Sequence, residues 1–78
     1  MRRIGQVVRT AQGLAILRAD DGDDDGHDVI GTMVLDESLD DVGRVVDVFG
    51  PVDRPYLAVT PDEDVHLPSL VGSTLYAR

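Results

Sequence analysis

Few residues in this 78-residue chain could do chemistry, and their spacing argues against most of it. Ser69 is the one serine near a histidine, His66, but Pro68 between them limits any element that could aim the imidazole at the hydroxyl. Asp36 and Glu37 are adjacent, and neighbours on a strand point to opposite faces, so they make a poor acid/base pair; a strand-ending turn is the simpler role. Asp20 to Asp28 places carboxylates at alternate positions with glycine, as a calcium loop does. Yet the twelfth position from Asp20, where such a loop needs a bidentate glutamate, holds Gly31. Residues 19–28 are therefore read as an acidic, flexible, solvated loop with His27 inside it. His66 has no second histidine or cysteine at metal-ligand spacing, and the sequence contains neither a glycine-rich phosphate loop nor a G-x-S-x-G turn. The expectation is a protein that is not an enzyme and uses no metal or cofactor.

Composition narrows the class further. Fifteen acidic residues face seven basic ones, for a formal net charge of −8, and every basic residue is arginine. Such a surface repels phosphate at ordinary salt, which disfavours autonomous nucleic-acid binding. A lysine-free, aspartate-rich surface also suits a protein kept soluble in molar salt, where charges are screened within about 3 Å, and we read the acidity mainly as halophilic. The arginines are scattered, with no aromatic stripe for RNA bases. With no cysteine, no leader-like apolar run after Met1-Arg2-Arg3 and no membrane-length apolar segment, a cytoplasmic location is expected. The length suits one domain, residues 1–78, burying about 60–65% of its unfolded surface.

The elements that must position any site read as short strands. Arg3 to Thr10 alternates, with Ile4, Gln6 and Val8 on one face, and Ala11-Gln12-Gly13 joins it to the apolar run Leu14 to Arg18 as an opening hairpin. Ile30 to Leu35 forms a third strand. Arg44 to Phe49 and Tyr56 to Thr60 flank a turn begun by Gly50-Pro51. Val65 to Gly72 is irregular or briefly helical, and Ser73 to Ala77 is a last strand with Leu75 on one face and Thr74 and Tyr76 on the other. Gly5, Gly31, Gly43, Gly50 and Gly72 fall where a barrel bends. Six short strands without an amphipathic helix close most easily into an all-β barrel, because an open sheet this short would leave two exposed edges.

The turn between the fourth and fifth strands carries the chain's only phenylalanine, Phe49, and one of its two tyrosines, Tyr56. Two roles fit. The rings could plug one end of the barrel, which ranks first on residue type alone, or they could form a docking surface, since exposed aromatics lose little entropy on binding.

Gly43-Arg44-Val45-Val46-Asp47-Val48-Phe49-Gly50-Pro51-Val52, followed by Pro55-Tyr56, resembles the signature of the small Gar-type protein of H/ACA ribonucleoproteins. Ile30-Gly31-Thr32, Asp36-Glu37 and Leu75-Tyr76 support the match, which runs from about Ile4 to Tyr76. The glycine-arginine-rich tails of eukaryotic members are missing, and the pattern is similar to an archaeal, halophilic member. The resemblance implies a six-stranded barrel of the translation-factor β-domain type. It also implies a non-catalytic subunit that docks on the catalytic domain of a guide-dependent pseudouridine synthase, meets guide RNA and substrate rRNA mainly indirectly, and aids substrate loading and product release by holding a mobile loop of that enzyme. The residues carried over as partner-binding are Val48, Phe49, Gly50, Pro51, Val52, Pro55 and Tyr56, with Gly31 and Thr32 as weaker neighbours; Gly50 and Pro51 would set backbone geometry. On that view the aromatics share core and interface duty. The alternative is a PRC-type barrel serving as a ribosome-maturation adaptor or small ligand-binding module, which shares the G-x-V-x-D-V half of the signature but lacks its Phe49 to Tyr56 extension.

Overall fold

A computed structural model describes residues 2–19, 30–51 and 53–78 of the chain. The acidic window that raised the calcium question, from Asp20 through Asp28, lies outside the described residues, as does Val52. Six strands, β1 (Arg2–Ala11), β2 (Leu14–Ala19), β3 (Met33–Leu35), β4 (Asp41–Phe49), β5 (Tyr56–Pro61) and β6 (Thr74–Ala77), close into an antiparallel barrel in the order β1-β2-β5-β4-β3-β6. A 3-10 turn, Leu67–Leu70, precedes β6 and contributes Leu70 to the interior. The all-β barrel expected from the sequence is therefore the fold.

Local chemistry explains the joins. Gln12 and Gly13 both have positive φ, 54° and 77°, which makes the β1–β2 connection a two-residue turn whose twist matches that of the strands. Asp36 ends β3 through an Asx-type turn: its Oδ1 accepts the backbone N–H of Ser38 at 2.8 Å and of Asp40 at 3.0 Å. Asp36 is thus a turn residue, and Glu37 beside it is exposed. Within the strands, Gly43 lets β4 and β5 approach closely, because a Cβ there would run into the Thr60 carbonyl oxygen; Gly5 does the same for β1 against Arg18. Gly31, Gly50 and Gly72 lie in turns between strands.

The interior is filled from every strand: Ile4 and Val7 of β1, Ala15 and Leu17 of β2, Val34 of β3, Val42 and Val45 of β4, Leu57 and Val59 of β5, and Leu75 and Ala77 of β6. One expectation fails here. Ile4 and Val8 do not share a face, because β1 bulges twice, between Arg3 and Gly5 against β6 and between Val7 and Arg9 against β2. Each bulge adds a residue to the strand and resets which side chains point inward, so Val7 is buried and Val8 is exposed. The third strand is also shorter than Ile30 to Leu35. Gly31 has a φ of 90° and leaves the extended conformation, although its N–H still reaches the Val45 carbonyl at 2.8 Å and the Thr32 carbonyl accepts the Val45 N–H at 3.1 Å.

Candidate functional site

The site is a row of outward side chains across four strands. The register pairs Gln6 with Arg18, Arg18 with Tyr56, and Tyr56 with Phe49, so one line of residues crosses β1, β2, β5 and β4. Alternation turns Leu17, Leu57 and Val48 toward the core, and therefore turns Arg18, Tyr56 and Phe49 outward. Phe49 and Tyr56 stack with centroids 5.6 Å apart and planes 26° from parallel. They are a cross-strand aromatic pair at the end of the β4–β5 hairpin, an arrangement that adds about 0.5–1.5 kcal/mol beyond burial. Neither ring belongs to the interior cluster, so the plug reading and the shared-core reading both give way to a surface role in packing terms. The physical reason is parity, since one residue either way along β4 or β5 would have turned the rings inward.

Two arginines complete the cluster. The guanidinium carbons of Arg9, from β1, and Arg18, from β2, each lie 5.9 Å from the Tyr56 ring centroid, within cation–π range. A guanidinium nitrogen of Arg18 also donates to the Tyr56 hydroxyl at 3.4 Å. That hydrogen bond and the Arg18 charge hold the Tyr56 phenol below its usual 10.0; desolvation opposes them and the Arg9 charge adds to them. Gly50 closes the cluster from below, where a Cβ would sit 2.9 Å from Tyr56 Cδ2. With a φ of 91°, glycine is required there for conformation and for space.

The remaining partner-binding candidates divide. Pro51 is exposed, and its carbonyl accepts the Arg54 N–H at 3.3 Å across the loop. Val48 packs against the interior cluster. Pro55 is buried, and its carbonyl accepts the Ala19 N–H at 3.0 Å, tying the hairpin to β2. Gly31 and Thr32 lie along the opposite side of β4, beside Val45, and are not brought to the aromatic pair by these contacts. Sequence reasoning missed Arg9 and Arg18, which look scattered along the chain. The register of the opening hairpin was the available signal, but the bulge at Val8 hides it.

Elsewhere, a cleft of about 650 Å³ is lined by Asp36, Asp40, Asp41, Asp62, Asp64 and His66, with Ser69 at its wall. The Ser69 hydroxyl donates to the backbone carbonyl of His66 at 2.7 Å, so serine and imidazole are not coupled as a nucleophile and base. Among the described residues no group of three or more His, Cys, Asp or Glu could hold a metal ion, and no helix is long and apolar enough to cross a membrane.

No protein-family model matches the chain, and no curated protein matches it. Among solved structures, the chain is similar to one described as the Gar1 domain of NAf1, with a TM-score of 0.72 at 17% identity over 97% of this chain and 82% of that one. At that identity the likeness is one of fold.

Proposed function

We propose that this chain is a non-catalytic subunit of an H/ACA-type guide-RNA pseudouridylation particle, from a halophilic archaeon, working in the cytoplasm. It docks on the catalytic domain of the pseudouridine synthase and aids loading of substrate rRNA and release of product. The observation that carries this reading is the stacked Phe49–Tyr56 pair, held outside the core at the tip of the hairpin that bears the Gar-type signature. The fold likeness to a Gar1 domain supports it. Aromatic and arginine side chains in one cluster are what the centre of a protein interface favours. Val52 belongs to the proposed turn and lies outside the described residues.

The test is association of the purified chain with the synthase catalytic subunit from the same organism, without RNA and at that organism's working salt. Phe49→Asp and Tyr56→Asp should weaken binding by at least tenfold, about 1.4 kcal/mol, while circular dichroism shows an intact barrel. Failure of the unaltered chain to associate at micromolar concentration would refute the proposal. In multiple-turnover assays with guide RNA, omitting the chain should lower the rate, and an unchanged rate would refute the loading and release role.

A further inference from the structure

Charge is unevenly distributed over this barrel. Arg2, Arg3, Arg9, Arg18 and Arg44 all lie in strands, whereas the only acids in strands of the described structure are Asp41 and Asp47. Of these arginines, Arg9 and Arg18 bring two positive charges to one ring on a chain of net charge −8, whereas Arg2 and Arg3 pair with β6 and Arg44 lies outside the ring cluster. The wall made by β1, β2, β5 and β4 is also apolar beneath. The row next to Arg18 and Tyr56 pairs Arg9 with Ile16, Ile16 with Ala58, and Ala58 with Asp47. Ile16 and Ala58 are only 4% and 3% exposed although neither belongs to the interior cluster. Val46, raised by the β4 bulge between Val45 and Asp47, and Phe49 are exposed at the rim. Asp47 spends one carboxylate oxygen on the N–H of Val48 at 2.8 Å.

We infer that Arg9 and Arg18 extend the docking surface from the hairpin onto β1 and β2, and that this wall receives a protein segment carrying carboxylates beside an apolar side chain. The inference rests on the reading that the Phe49–Tyr56 hairpin docks on a protein. Arg9 and Arg18 are both exposed, each meets Tyr56 through its face or one N–H, and a carboxylate matches the planar fork of a guanidinium. A nucleic-acid strand fits less well. Tyr56 already stacks on Phe49 and carries both arginines, so its ring offers no free platform for a base, and a strand's dense phosphate charge meets the acidic remainder of the chain. A pair of carboxylates on a protein surface brings its charge to the arginines alone.

The experiment uses the full chain and side-chain NMR of Arg9, Arg18 and Tyr56, with Arg44, outside the ring cluster, as internal control. The probes are a synthetic peptide of alternating aspartate and leucine, its asparagine counterpart, and oligouridylate. The acidic peptide should shift Arg9, Arg18 and Tyr56 but not Arg44, the asparagine peptide should not, and Arg9→Gln with Arg18→Gln should abolish the response. Absence of any shift, equal shifts at Arg44, or a larger response to oligouridylate would overturn the inference. In a second arm, Arg9→Gln and Arg18→Gln should each weaken binding to the synthase subunit about tenfold to hundredfold, the scale of a hydrogen bond to a charged group. If both variants bind the synthase as tightly as the unaltered chain, the inference falls and the docking proposal stands. If the unaltered chain ignores the synthase while the acidic peptide still shifts the arginines, the docking proposal falls and the carboxylate preference stands.

Discussion

Replacing Gly50 by alanine separates two costs that the site combines. Gly50 and Gly72 have nearly the same backbone angle, φ of 91° and 93°, but a Cβ on Gly72 would meet nothing within 4 Å, whereas one on Gly50 would sit 2.9 Å from Tyr56 Cδ2. Gly72→Ala therefore measures left-handed strain alone. That strain is about 1–2 kcal/mol, partly offset by the roughly 0.4–1 kcal/mol that alanine gains by restricting the unfolded chain, for a net loss near 1 kcal/mol. Gly50→Ala carries the same term and must also push the ring aside. An off-rotamer tyrosine costs about 0.5–1.5 kcal/mol and the disturbed aromatic pair a similar amount, so the total should be about 2–4 kcal/mol. For a domain of this size each kcal/mol moves Tm by about 4–8 °C, and the extra ~1–3 kcal/mol should make Gly50→Ala melt about 4–24 °C below Gly72→Ala. Melts at one fixed salt concentration, with two-dimensional NMR of the Phe49 and Tyr56 ring protons, check both halves. Equal melting losses for the two variants, or an unchanged ring–ring contact in Gly50→Ala, would refute the account of Gly50 as the support of the aromatic pair.

Further outcomes follow from other parts of the molecule. Because the Tyr56 pKa is lowered in the fold, chiefly by the Arg18 hydrogen bond and charge, phenolate stabilisation is present above the unfolded value near 10.0 and is lost as pH falls through the lowered folded value. Arg18→Gln should then raise the Tyr56 titration midpoint toward 10.0 in phenolate absorbance, measured in a Tyr76→Phe background, and leave stability at neutral pH unaffected through this route. Asp36→Ala removes the acceptor for the Ser38 and Asp40 N–H groups and should cost about 1–2 kcal/mol in urea unfolding, with Asp36→Asn retaining most of it. Leu57→Ala, at a position 2% exposed in the interior, should cost about 2–5 kcal/mol by the same measurement.

Much of the barrel is legible in the sequence because strand period and turn chemistry are local. Gln12-Gly13 dictates a hairpin turn, Asp36 a strand-ending loop, and Leu75 between Thr74 and Tyr76 an inward residue between half-buried neighbours, all through interactions spanning a few residues. The bulges in β1 are not legible in this way. An extra residue at Ile4 or Val8 is defined only by which partner strand it fails to match, β6 in one case and β2 in the other.

The same division holds at the candidate site. From residue types and order alone it follows that Phe49 and Tyr56 flank a turn, that glycine and proline shape it, and that the cationic groups are all arginine. The sequence could not say whether the rings face in or out, because that depends on the parity of two strands closing a barrel. Nor could it bring Arg9 and Arg18 to Tyr56. They meet there because β2 pairs with β5 rather than with the next strand in the chain, and because a bulge at Val8 turns Arg9 toward the same wall. Only the closed tertiary structure, where cross-strand register sets side chains distant in sequence within hydrogen-bonding and cation–π reach, makes the turn and the two arginines one surface.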